Sequence, residues 1–188
     1  MAITRLGGAN AITGTLPAAN INSTSLGNVD VGKVLQVIQT AKTDTATYSV
    51  GGNGGESSNV MPTNITPSST SNKVLIQGQF VLAVPTSNVG VILFRGSTEI
   101  FSSDAAGSRN RATAITYEDT GSTASVSTIP FTFLDSPSST STLTYQVKFT
   151  HSSSATQTIY QNTYEGAGDS SKVANGTSSL TVMEIQAW

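Results

Sequence analysis

The stretch Lys73–Arg95, KVLIQGQFVLAVPTSNVGVILFR, restricts the possible folds more than any other part of the chain. Apolar side chains alternate at Val74, Ile76, Phe80, Leu82 and Val84, and after a Pro-Thr-Ser-Asn break a β-branched run continues over Val89–Phe94. That period of two, interrupted by turn residues, predicts two strands joined as a hairpin. The opposite face of the first strand is also partly apolar at Leu75, Val81 and Ala83, broken by Gln77 and Gln79, so part of it should be covered on both sides. One thin sheet would not need that.

The rest of the chain agrees with a β domain. Charged residues are 11% of the 188, against about a quarter in ordinary globular proteins, and Ser and Thr together exceed a quarter. Thr suits strands and Ser, Gly and Asn suit turns, whereas the Glu, Lys and Ala that build solvent-facing helices are scarce. Further strands are expected at Val31–Ala41, at Thr43–Val50 paired with it, and at Thr98–Phe101 and Ala112–Asp119. Ser125–Leu134 contains Pro130, so its strand should be an edge or should begin again after the proline. Leu143–Phe149 has the cleanest alternation, with one face for a core and one for water, and Thr158–Asn162 is a short strand. Ser179–Ile185 carries Leu180 and Val182 on one face and Met183 and Ile185 on the other, so it should have two packing partners, its own core and a neighbouring subunit.

Eight or more strands at irregular spacing favour a two-sheet sandwich over an up-and-down barrel. A jelly roll fits better than an immunoglobulin domain, since the chain has no cysteine and its single tryptophan is Trp188. Residues 1–29 read differently. Ile3, Leu6, Ile12, Leu16 and Ile21 are spaced irregularly among Gly, Ala, Asn and Thr, with no helix or strand period. Such a segment is too apolar for a typical disordered tail, which predicts an extended arm ordered against another surface, with an ordinary flexible leader as the alternative. The expected organisation is all-β: an N-terminal arm over 1–29 and a jelly-roll β-sandwich over 30–188.

Several functions are not expected. The net charge of −2 and the scattered Lys and Arg give no footprint for nucleic acid or for an anionic membrane. No apolar run approaches the roughly 18 residues of a membrane span. The N-terminus lacks the apolar core of a secretory signal, so synthesis in a cytoplasm is expected. His151 is the only histidine and no nucleophile motif accompanies it, while Glu118 and Asp119 are adjacent in a strand and should point to opposite faces. No enzyme activity, cofactor or metal site is expected. GGNGG over 51–55 reads as a glycine turn, because no helix signal and no Lys-Ser/Thr follow it. In SSDAAGSRNR over Ser102–Arg111, the plain reading is an ion pair within the loop and the sharper one a ligand clamp. Tyr117, Tyr160 and Tyr164, beside carboxylate or amide groups, are candidates to stack on a sugar ring.

Two passages also resemble a known family. SNKVLIQGQFVLAV followed by VGVILFRGSTEI (Ser71–Ile100), together with SSLTVMEIQA (Ser178–Ala187), resembles the C-terminal jelly-roll domains of tail-fibre and other virion structural proteins of tailed bacteriophages, particularly those of marine cyanobacteria. The leader ITRLGGANAITGTLPAANI (Ile3–Ile21) is similar to the opening of such proteins, where the N-terminal part joins the fibre to the particle. The resemblance implies a homotrimer like those of C1q and tumour necrosis factor, with Arg95 closing a strand and Leu180, Val182, Met183 and Ile185 near the three-fold axis. It implies that Ile3, Leu6, Ile12, Leu16 and Ile21 contact other phage structural proteins, and that the chain resides on a virion. Because only about thirty residues precede the domain, a short fibre, a spike or a capsid protrusion is as compatible as a tail fibre. A carbohydrate-binding module is the alternative; a secreted adhesin or cytokine-like ligand is disfavoured by the missing signal.

Overall fold

The computed structural model describes residues 33–85, 87–117, 126–169, 171 and 174–187. The arm residues Ile3, Leu6, Ile12, Leu16 and Ile21 and the pair Glu118-Asp119 lie outside the described residues. The described residues form strands and no helix. In chain order the strands are β1 (Val34–Lys42), β2 (Ala46–Val50), β3 (Val60–Ile65), β4 (Lys73–Ala83), β5 (Asn88–Arg95), β6 (Thr98–Phe101), β7 (Ala114–Tyr117), β8 (Ser127–Asp135), β9 (Leu143–His151), β10 (Gln157–Gln161) and β11 (Ser178–Ile185).

Among the described residues the strand pairings are antiparallel and fall into two sheets. The body of the first runs β1-β11-β4-β8, with β10 joined to the end of β4 at Leu82 and Ala83 and β2 beyond it. The second runs β3-β9-β5, and the far edge of β5 is shared by β6 near Arg95 and β7 near Asn88. Those two short strands act as one interrupted strand. With β2 and β10 set aside as additions, one sheet then carries the first, eighth, third and sixth strands and the other the second, seventh, fourth and fifth. That interleaving is the strand order of a jelly roll.

The expected hairpin is corrected by this topology. β4 and β5 belong to different sheets, and the segment between them crosses from one layer to the other. β5 is buried along Val89–Phe94 on both faces, so it needs a partner on each edge and cover on each side. A two-strand ladder with β4 would supply neither. The expected pairing of the first two strands also fails: β1 pairs with β11, and β2 with β10. The strand runs through Pro130, which lies in β8 opposite Gln79 of β4, and β8 is an edge, with β4 its one partner among the described strands. The far face of β9 is less wet than its alternation suggests, since Gln146 and Thr150 are buried beside Lys148.

The inward faces meet in one core. Val74, Ile76, Phe80 and Leu82 of β4 face Tyr145, Val147 and Phe149 of β9, all fully buried. Phe80 stacks on Phe131 with centroids 6.1 Å apart and meets Phe149 edge-on at 5.9 Å, so aromatic contacts bridge the layers. Polar groups pin the two sheets together at the sandwich rim. Arg95 Nη1 of β5 and the Tyr145 hydroxyl of β9 both donate to Asp135 Oδ2 of β8 at 2.6 Å. Burial pushes the Tyr145 phenol up, and its bond to the Asp135 carboxylate adds to the shift.

Candidate functional site

Cross-strand register decides which residues share the solvent face of the first sheet. Val37 of β1 pairs with Met183 of β11, Met183 with Leu75 of β4, and Leu75 with Leu134 of β8. Directly opposed residues in antiparallel strands point the same way, so these four side chains form one apolar row across four strands. Ile185, paired with Val34, extends the row toward the sheet end. Val34, Val37 and Leu134 are 54%, 57% and 45% exposed, well outside the values of the core. The next row over is polar: Gln39, whose Nε2 donates to Thr181 Oγ1 at 2.8 Å, then Gln77 and Thr132. The face therefore grades from an apolar band to a hydroxyl and amide surface.

Among the residues expected at a subunit interface, the structure separates two pairs. Leu180 and Val182 are fully buried in the chain's own core and have no surface to offer a neighbour. Met183 and Ile185 lie on the other face, in the band. Leu75 stands out in the sequence as part of a second apolar face on its strand, but Val34, Val37 and Leu134 do not, and what assembles them with it is register between strands distant in the chain.

The strand carrying the band is held from its inner side by Glu184, which is 1% exposed. Gln36 Nε2 donates to its Oε2 at 2.6 Å, while Ser68 N and Oγ, both at 2.7 Å, and Asn72 Nδ2 at 2.6 Å donate to its Oε1. Burial alone would push this carboxyl up, but the donors from Asn72, Gln36 and Ser68 outweigh it and hold the group at about 2. The carboxylate thus ties β1, β11 and the β3–β4 connection at one end of the sandwich. At the other end, Asn162 Nδ2 donates to the carbonyls of Lys42 at 2.9 Å and Asp44 at 2.8 Å, and its Oδ1 accepts from Ser178 Oγ at 2.7 Å.

The three tyrosines do not converge. Tyr117 ends β7 in the second sheet and is 64% exposed; Tyr160 is on β10 in the first sheet, and Tyr164 lies in the loop after it. Slight burial and the nearby Glu165 carboxylate raise the Tyr160 phenol. His151 is 2% exposed, with Nε2 2.9 Å from the Val50 carbonyl and Nδ1 accepting from Ser153 N at 3.1 Å. The ion pair expected within Ser102–Arg111 is not formed among the described residues. Their ion pairs are Lys42–Asp44, Arg95–Asp135 and Lys148–Glu56, and Arg111 Nε instead donates to the Ser103 carbonyl at 2.6 Å. Among the described residues no three His, Asp or Glu side chains are grouped to hold a metal ion, and no helix is long and apolar enough to cross a membrane.

No family model and no curated protein matches the chain. Among solved structures, it is similar to a chain in the structure of infectious bursal disease virus, Gx strain, at 14% identity and a TM-score of 0.36. The match covers 83% of this chain and 42% of the viral one, so the chain spans less than half the length of that neighbour. At that score the likeness decides neither fold nor function; the jelly-roll assignment rests on the strand order.

Proposed function

We propose that the chain is a non-enzymatic structural protein of a phage virion, a short fibre or spike in which three copies associate through the outer face of the first sheet. The observation that carries this reading is the apolar row Val37–Met183–Leu75–Leu134 on the outer face of the first sheet, exposed at Val37 and Leu134 and half-buried at Met183 and Leu75 between them. Removing such a band from water stabilises an assembly by roughly 25 cal/mol per Å² of apolar area, and a stable contact needs on the order of 800 Å² from each partner. The resemblance of Ser71–Ile100 and Ser178–Ala187 to trimeric phage jelly rolls supplies the number of copies. In this reading Ile3, Leu6, Ile12, Leu16 and Ile21 anchor the assembly to tail or capsid proteins, and the domain is displayed outward for host attachment. The chain is made in the host cytoplasm and resides on the particle, without nucleic acid, membrane insertion or cofactor. Met183→Asp should convert the trimer to a folded monomer; a variant that stays trimeric removes this surface from the interface.

A second reading, a host-surface glycan stacked on surface tyrosines, is favoured at Tyr117 by its exposure and at Tyr160 by the adjoining carboxylate of Glu165. Glycan-array binding that disappears in Tyr160→Ala or Tyr164→Ala, with the fold intact, supports it. An array with no signal for the unmodified protein rejects it.

A further inference from the structure

A pocket of about 330 Å³ opens on the outer face of the second sheet, where the start of β5, β7 and the end of β9 meet the β6–β7 loop. Its floor is a cross-strand row, Ile115, Gly90 and Thr150, with Ala112 beside it. A Cβ at position 90 would lie 3.1 Å from Thr150 Cγ2 and 3.2 Å from both Ala112 Cβ and Ile115 Cγ2, so glycine keeps that floor low.

Two groups in the pocket have no role in holding the fold. Asn88 Oδ1 is buried and accepts no hydrogen bond among the described residues. Buried acceptors in folded proteins almost always have a donor, so this oxygen is left short of one, and a turn of the Asn88 side chain into the pocket would let it take one from outside. Arg109 lines the same pocket, and none of the ion pairs among the described residues includes it. Its neighbours are committed: Arg111 to Ser103, and Asn110 Nδ2 to the His151 carbonyl at 3.0 Å. His151, also in the wall, uses both ring nitrogens internally.

We infer that this pocket binds an acidic sugar residue. A ring hydroxyl donates to Asn88 Oδ1, the anionic group pairs with the Arg109 guanidinium, and the C–H face of the ring rests on Gly90, Ala112 and Ile115. A neutral sugar would leave the guanidinium unused, and a bare inorganic anion would offer no apolar face to the floor. Tyr117 is directly cross-strand from Asn88 and on the face shared with Ile115. Ser108 and Ser152 add hydroxyls that can both donate and accept. The inference deepens the glycan reading and moves its centre from Tyr160 and Tyr164 to Asn88 and Arg109, and it needs only one subunit.

Titration calorimetry on the full-length protein tests it with a galacturonic-acid trimer, a sulfated galactose trimer and an uncharged galactose trimer. At least one acidic trimer should bind about tenfold more tightly than the uncharged one, the two acidic arms distinguishing carboxylate from sulfate. Arg109→Gln should erase that preference, Asn88→Ala should weaken binding of the preferred trimer, and Arg111→Gln should change neither. Since Asn88 Oδ1 has no partner to lose, Asn88→Ala should keep the thermal midpoint. Absence of binding by both acidic trimers, or equal affinity in Arg109→Gln, overturns the inference. Binding lost in Tyr160→Ala but kept in Arg109→Gln assigns the glycan to the tyrosines instead. Subunit mass measured on the same samples reports on assembly separately.

Discussion

Glu184 shows how one side chain links acid sensitivity to the strand that bears the apolar band. Its folded carboxyl sits at about 2, below the ordinary 4.5, so its contribution is complete above pH 5 and is lost as pH falls through the folded value. Glu184→Gln should therefore destabilise at neutral pH, and the gap between variant and parent in chemical denaturation should close between about pH 5 and pH 2. A gap independent of pH would mean the carboxylate charge is not what the four donors stabilise. Gly78 makes a different kind of demand. A Cβ there would stand 2.3 Å from Phe131 Cε1 and 2.8 Å from Phe80 Cε2, so the glycine makes room for the aromatic stack. Gly78→Ala should cost about 1–3 kcal/mol by overpacking, read as a lower urea midpoint at unchanged slope.

Among the elements, β11 carries the most of the account. Its inner residues Leu180 and Val182 fill the core and its outer residues Met183 and Ile185 lie in the band, so substitutions on the two faces should differ in kind. Val182→Ala should lower stability by roughly 1–3 kcal/mol without changing subunit number, whereas Met183→Asp should change subunit number with little effect on the folded monomer. Equal effects on melting and on mass from both would contradict this division. Alternation made both faces of β11 legible in the sequence, as it did the inward residues of β4 and β9. Partners were not legible. Pro-Thr-Ser-Asn reads as a turn whether it closes a ladder or carries the chain from one sheet to the other, and the choice was made by β11 and β8, which flank β4 from far along the chain. For the same reason Val37 and Leu134 showed no sign of belonging with Met183. Nothing local in Asn88 or Gly90 indicates an unpartnered oxygen above an open floor, and the two arginines in the β6–β7 loop read first as members of an ion pair.

At the scale of the whole molecule, the jelly roll spanning the described residues has its own core and its own polar pins, so folding should not require the arm. Deleting residues 1–28 should leave the far-ultraviolet β signature and the urea midpoint of the domain unchanged while abolishing incorporation into particles; a truncated protein that still incorporates would remove the arm from the anchor. The central claim, that the band on the first sheet is covered by sister copies, is tested most directly by the mass of the full-length protein in sedimentation equilibrium at micromolar concentration. Three times the chain mass of 19.3 kDa is expected, falling to a single chain mass in Met183→Asp. A folded species of 19.3 kDa for the unmodified protein, with the band left in water, would contradict it.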